Sequence, residues 1–505
     1  MRSKKAVINI LISFLLQVTA VICGLIIPKL IIENYGSNVN GMIMSITQFL
    51  SFIVLLEAGV GGVVRAALYR PLALKDSNSI SRIIRATESF FRIIAIVFLL
   101  YIVLLAIFFP TIVNVEFEKL FTGSLVLIIG ISTFFQYYFG LTYQILLQAD
   151  QKQYISSIIQ IFTLILNTIL VVLLITNGAS ILYVKLGTAF IFIIRPIFLS
   201  IYIRKKYNIN KQVLPDNKAI EKRWDGLGHH VAFLLHTSTD IVILTLFSNL
   251  KEISVYSIYY LVSSSVKKIT VTFASSIEAA FGDIIAKNEK EVLRRNFSVF
   301  EFSIFFITTL IFSSTALLIL PFVELYTSNV ADADYYRPYF AFILLAAEVV
   351  FCLRVPYSAV VLAAGHFKET RNGAFIEAAI NVTISIILVN FLGIIGVAIG
   401  TLCAMVYRTI EYVMYLSKNI IERNMKEFFK KVLVFSLGSI ITFLVMSSFP
   451  TIDIVSFKLW IYYATLVVFI SLIVITLTSI IFFKTELNIL KQIISRLLKN
   501  KNTYN

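Results

Sequence analysis

Two short arrays recur in this chain, built from residue types that could hold an anion. Gly187-Thr188 is followed by Arg195, and Gly400-Thr401 by Arg408, with the arginine eight residues after the glycine each time. Asn167 and Asn381 precede the two glycines by twenty and nineteen residues, each inside an apolar run. A guanidinium placed twice at one spacing in hydrophobic sequence is costly, so a functional reason is expected. Lys267-Lys268 and Arg354, the latter two residues before Pro356, carry positive charge into other apolar runs. Adjacent lysines cannot share one helix face, so at least one is expected to point into a wet cavity. Together these cations suit the transport of an anionic substrate. Arg195 and Arg408 could instead snorkel to headgroups, and Arg408 could pair with Glu411 one turn on.

Two acidic sites suggest a second chemistry. His236 and Asp240 lie one turn apart, and such a pair in a low-dielectric site can exchange a proton near neutral pH. Glu57 sits in EAGVGG, where glycines permit close helix approach. It is a candidate for ion coupling, or else a buried hydrogen-bond anchor at a packed helix end.

The elements that must position these residues are membrane helices. Hydrophobic residues make up 58% of the 505 positions and charged residues 14%, with a mean hydropathy of +0.88. Soluble domains carry about 25% charge. Apolar runs of spanning length, about 20 residues, are expected at 6–32, 41–64, 89–110, 122–147, 154–176, 181–203, 226–248, 253–277, 298–320, 338–363, 372–392, 394–417, 431–449 and 459–482. The fold class is an all-α polytopic membrane protein of about fourteen helices. The eighth span is unusually polar, and losing one span would move the C-terminus across the membrane.

Lysine and arginine placement sets the orientation. With the N-terminus inside, 33 basic residues fall on the cytoplasmic side and 5 outside. Six remain within spans: Lys185, Arg195, Lys267, Lys268, Arg354 and Arg408. Both termini are therefore expected in the cytoplasm. The net charge of +16 is explained by contact with anionic lipid rather than nucleic acid. Cys23, Cys352 and Cys403 all lie in spans and form no spaced pair, so neither a disulfide framework nor a metal site is expected. The basic start before an apolar run resembles a signal peptide, but the run continues through Pro28 and reads as a retained first helix.

The longest strongly polar stretch, 204–225, divides the chain. An N-terminal six-helix lobe is expected over 1–203, the cytoplasmic linker over 204–225, and a second six-helix lobe over 226–420. Two further helices lie within 431–483, and an amphipathic cytoplasmic tail over 484–505. Leu30 to Met44 aligns without gaps on Leu244 to Ile258, so six helices repeat in one orientation about an axis along the membrane normal. In the tail, Leu487, Leu490, Ile494 and Leu497 recur at helical spacing among Lys484, Lys491, Arg496 and Lys499, a pattern suited to a membrane surface.

No catalytic apparatus is visible. The sequence contains no H-E-x-x-H, Walker loop or G-x-S-x-G, and no extramembrane segment is long enough to hold an active site. An enzyme is not expected, nor a bound cofactor beyond a coupling proton or sodium ion.

Several segments resemble the bacterial polysaccharide repeat-unit flippases, the Wzx-type O-antigen and capsule transporters of the MATE/MOP superfamily. PKLIIENYGSNVNGM is similar to that family's first turn, and EAGVGGVVRAAL at 57–68 to its acidic-glycine motif, with Arg65 following. TSTDIVILTLF at 237–247 resembles the seventh-helix aspartate motif, which places Asp240. ETRNGAFIEAAINVTISIILVNFLGIIGVAIGT at 369–401 resembles the family along its whole length. The resemblance covers about 1–420, and Lys267-Lys268 departs from it. It implies two lobes alternating around a cavity, commonly driven by an ion gradient. The implied substrate is an undecaprenyl-pyrophosphate-linked oligosaccharide carried to the outer leaflet of the bacterial cytoplasmic membrane. Implied partners are membrane lipids and polysaccharide polymerase. The expected cavity cations are Lys267, Lys268, Arg354, Arg195, Arg408 and Arg65. A lipid II flippase shares the helix plan and is the nearest alternative. A multidrug cation exporter would want acids in its cavity, and a membrane glycosyltransferase would need a larger outer loop.

Overall fold

A computed structural model of the chain describes residues 2–57, 60–113, 117–224, 238–287, 289–449 and 454–501. Among these residues the regular structure is helical, with no strand. That follows from the apolar composition, because a helix satisfies its own backbone polar groups where lipid offers no partner.

The chain forms two compact units, Met1–Val255 and Tyr256–Asn505. In the first unit α1 spans Arg2–Tyr35, α2 Ser37–Leu50, α3 Val54–Glu57, α4 Val60–Leu74 and α5 Ser77–Ile112. Then come α6 Lys119–Phe135, α7 Leu141–Ala149, α8 Gln153–Thr176 and α9 Ile181–Lys206. A helix over Ser238–Phe247, α10, follows. The next, α11, spans Leu250–Ala286 and crosses the boundary between the units. The second unit adds α12 Lys290–Tyr326, α13 Pro338–Ala363, α14 Phe367–Leu392, α15 Ile394–Asn419, α16 Lys426–Ser447, α17 Phe457–Phe482 and α18 Lys484–Lys501.

Among the described residues, 11 helices are long and apolar enough to cross a membrane. They coincide with eleven of the expected spans. The second expected span differs, since α2 passes through a 3-10 turn at Ser51–Ile53 into α3, and α4 follows. Gly61 and Gly62 lie in the first turn of α4, and glycine weakens a helix interior. The seventh is only partly within the described residues. The eighth is the continuous but polar α11.

Large apolar side chains face outward along these helices, as on α1 at Ile10 and Phe14. Contacts between helices include pairs of small polar residues, a pattern suited to lipid, where apolar burial alone drives no association. Ser45 Oγ lies 2.6 Å from Thr245 Oγ1, and Ser314 Oγ donates to Ser471 Oγ at 3.2 Å. Asn40 and Ser254, which the gap-free alignment pairs with each other, are in direct contact, Asn40 Nδ2 donating to Ser254 Oγ at 2.8 Å. Gly41 makes room for that approach, because a Cβ there would collide with the Leu250 carbonyl.

Outside the spans, Asp76 caps α5 by accepting from Asn78 N and Ser79 N, each at 3.1 Å. The Ser79 hydroxyl and amide hold its carboxyl below the usual carboxylate range.

The second unit is organised around aromatic packing of Phe302, Phe305, Phe435 and Phe483. Beside them, Glu301 is fully buried and meets Lys431 Nζ at 2.6 Å and Arg423 Nη2 at 2.6 Å. The Tyr357 hydroxyl donates to the same carboxylate. One anion thus ties α12, α13, the α15–α16 loop and α16 together. The tail is a separate helix rather than a frayed extension of α17. The two are broken at Phe483, whose ring stacks on Phe435 at 5.3 Å. From α18, Glu486 accepts from Ser298 Oγ at 3.2 Å and lies 3.9 Å from Lys431 Nζ.

Candidate anion-binding site

The two Gly-Thr…Arg arrays occupy matching places in two helical hairpins. In the first, α8 turns through Gly178, at φ +73°, into α9; in the second, α14 turns through Gly393, at φ +55°, into α15. The glycines of the arrays let the hairpin legs close. A Cβ on Gly187 would come 2.9 Å from Leu170 Cδ2, and one on Gly400 would come 2.8 Å from the Ser385 nitrogen. In the second hairpin Asn381 Nδ2 donates to Thr401 Oγ1 at 3.2 Å. Asparagine, glycine and threonine are thus packing parts, and the arginine is carried on the frame they make.

The two arginines have different surroundings. Arg408 is 3% exposed and fully engaged. Its guanidinium pairs with Glu411, lies 3.5 Å from Glu377 Oε2, donates to the Thr370 carbonyl at 2.9 Å, and sits over the Tyr412 ring at 4.3 Å. The partner expected one turn on is therefore present. Gly373 accommodates the Glu411 carboxylate, which would overlap a Cβ there. Glu377 also binds Arg354, at 2.6 Å.

Lys267 of α11 is held by Glu348 of α13, at 2.9 and 2.8 Å to the two carboxylate oxygens, with its ammonium 5.0 Å from the Phe351 ring centroid. Lys268 lies on an exposed face. Lys267, Arg354 and Arg408 therefore meet three carboxylates, Glu348, Glu377 and Glu411, on adjacent helices. Such pairs hold helices in register, because removing one partner strands a buried charge.

Among the described residues Arg195 meets no carboxylate. Its guanidinium donates to Gln144 Oε1 at 3.4 Å and lines a cavity of about 340 Å³ inside the first unit. Lys185, counted among the interior cations but given no role from sequence, lines the same cavity. It makes no ion pair or hydrogen bond among the described residues. The helical period places Lys185, Thr188, Phe192 and Arg195 along one face of α9. Opposite them are the hydroxyls of Thr47, Ser132 and Thr163 and the amides of Gln136 and Gln160. Among the described residues, none that lines the cavity is acidic.

Gln136 opens a π turn, Gln136–Gly140, between α6 and α7, and Gly140 is seated against Pro196, next to Arg195. π turns recur at functional sites because they re-aim side chains.

The repeat explains the difference in charge. Aligned on Asn167 and Asn381, Thr163 stands where the second copy has Glu377. Aligned on the arginines, Phe198 stands where it has Glu411, and Lys185 where it has Ala398. At these positions the first copy thus has two acids fewer and one base more. That signal was available in the sequence, had the copies been compared for charge rather than for shared residues.

Of the other expected residues, Arg65 donates to Gln148 Oε1 at 2.8 Å across α4 and α7. Glu57 accepts from the Tyr137 hydroxyl at 2.7 Å, on the π turn. Asp240 is buried on α10, and His236 lies outside the described residues.

No family model matches the chain, and no curated protein matches it. Solved structures do. The lipid II flippase MurJ in an inward closed conformation superposes with a TM-score of 0.71 at 15% identity, over 95% of this chain and 99% of that chain. An inward-facing multidrug resistance MATE transporter of the MOP superfamily gives 0.61 at 13% identity, over 82% and 96%. A MOP superfamily transporter from Pyrococcus furiosus, described as having a binding pocket of reverse polarity, gives 0.53 at 13% identity, over 84% and 95%. The chain has the fold of these multi-pass membrane transporters.

Proposed function

We propose that this chain, built on the fold it shares with MurJ and the MATE transporters, is a flippase for an anionic, lipid-linked oligosaccharide. The substrate we favour is an undecaprenyl-pyrophosphate-linked repeat unit. It moves by alternating access from the inner to the outer leaflet of the bacterial cytoplasmic membrane, for O-antigen, capsule or exopolysaccharide synthesis. The observation that carries this reading is the cavity of the first unit, where Lys185 and Arg195 stand among hydroxyls and amides with no acid among the described residues. An unpaired charge in a low-dielectric site is retained at a cost, and an anionic ligand offsets that cost. The hydroxyls and amides are the groups that bind sugars, and Arg195 offers the fork that fits a phosphate. An exporter of cationic drugs would need the opposite polarity.

Lipid II is the second reading, favoured by the match to MurJ over nearly the full length of both chains. Both substrates share the polyprenyl diphosphate, and the cavity chemistry suits both. Under this proposal both termini face the cytoplasm, a glycan polymerase receives the product, and a proton or sodium gradient acts through Asp240, His236 or Glu57.

The test is reconstitution. In proteoliposomes bearing a fluorescent polyprenyl-diphosphate oligosaccharide, the intact protein should expose the inner-leaflet label to an impermeant quencher. Arg195→Gln should slow that exposure about tenfold or more, as expected for a lost charge-assisted hydrogen bond. Unchanged exposure in the variant, or none with the intact protein, would sink the reading.

A further inference from the structure

The cations of the first-unit cavity are too far apart to serve one diphosphate. Lys185 and Arg195 are separated by ten residues of α9, which is about 15 Å of helical rise. Side chains on a helix lean toward its N-terminus, so both lean the same way and the separation persists at the charged ends. The two phosphorus atoms of a diphosphate share one bridging oxygen and span a small fraction of that distance. Arg195 can clamp the diphosphate, which leaves Lys185 with no anion. Between the two cations the same face of α9 carries Thr188 and the ring of Phe192, with the Gln160 amide opposite. A hydroxyl, an aromatic face and an amide are what a sugar ring needs. Lys185 lies four residues into α9 and Arg195 fourteen. With the expected orientation Lys185 is toward the outer side, beyond the diphosphate, where the glycan of a substrate loaded from the cytoplasm must lie.

We infer that Lys185 reads a second negative charge, borne by the glycan, and that the transported saccharide is acidic, carrying a uronate-type carboxylate. The inference rests on the flippase reading but is separable from it. A neutral glycan would leave Lys185 unpaired among the described residues in both the empty and the loaded protein. An acidic sugar pairs it only on loading, which makes the charge a selectivity device.

Calorimetry on the purified full chain in lipid nanodiscs separates the two, with three probes: farnesyl diphosphate, trigalacturonate and fully methyl-esterified trigalacturonate. Trigalacturonate should bind about tenfold or more tighter than its ester. Lys185→Gln should bring it down to the ester's affinity while farnesyl diphosphate binds as before. Lys185→Arg should keep the preference, which guards against loss of folding. Arg195→Gln should weaken farnesyl diphosphate instead. Equal binding of acid and ester, or equal weakening of both anions by Lys185→Gln, would overturn the acidic-glycan inference and leave the flippase reading standing. Failure of farnesyl diphosphate to bind the intact protein would overturn both.

Discussion

At the scale of single residues, the protein turns on whether an arginine has an acid beside it. Arg408 meets Glu377 and Glu411. Arg195, on an equivalent frame, donates to Gln144 and meets no acid among the described residues. The exchange is testable in both directions. Thr163→Glu installs in the first copy the acid that the second copy has, and should abolish flipping in reconstituted vesicles while the protein still purifies at normal yield. Glu377→Gln removes the acid shared by Arg354 and Arg408, and should lower stability by about 3–5 kcal/mol, the usual result of leaving a buried charge uncompensated. A fall in flipping for Thr163→Glu accompanied by an equal fall in thermal stability would argue against the cavity role.

At the scale of elements, the hairpins α8–α9 and α14–α15 act as frames. Their tightness comes from glycine where one leg crosses the other and from glycine with positive φ at the turn. Gly400→Ala pushes a Cβ against the Ser385 backbone nitrogen and hydroxyl and the Asn381 carbonyl. Backbone cannot swing aside as a side chain can. The change should cost about 1–3 kcal/mol, read as a lower denaturation temperature in detergent. Gly187→Ala faces leucine side chains that can shift, so it should cost less. The reverse ranking would show that the frames do not depend on these crossings. The π turn is a third device at this scale, presenting Gln136 to the cavity and Tyr137 to Glu57 on successive residues.

At the scale of the whole molecule, the tail and the charge pattern bear on topology. The docking of Glu486 against Ser298 and Lys431 places the start of α18 beside the first turns of α12 and α16. If the basic residues mark the cytoplasmic side, Lys491 is cytoplasmic. In a background lacking Cys23, Cys352 and Cys403, Lys491→Cys should react with an impermeant maleimide only after the cells are opened. Labelling of intact cells would reverse the C-terminus and require an odd number of spans.

The sequence by itself determined the class, most of the spans and the existence of a repeated array, because length, hydropathy and spacing are local properties that lipid makes decisive. It also marked Arg195, Arg354, Arg408 and Lys267 as interior cations. Only the tertiary structure decided which of them are already neutralised. Glu348 lies eighty-one positions from Lys267, and Glu377 twenty-three from Arg354, and nothing along the chain announces that their helices bring them within hydrogen-bonding distance. Lys185 went without a role for the same reason, since a cavity is a property of several helices at once. Charge could be counted in the sequence, but whether a charge is spent on a neighbour or kept for a ligand depends on contacts across helices.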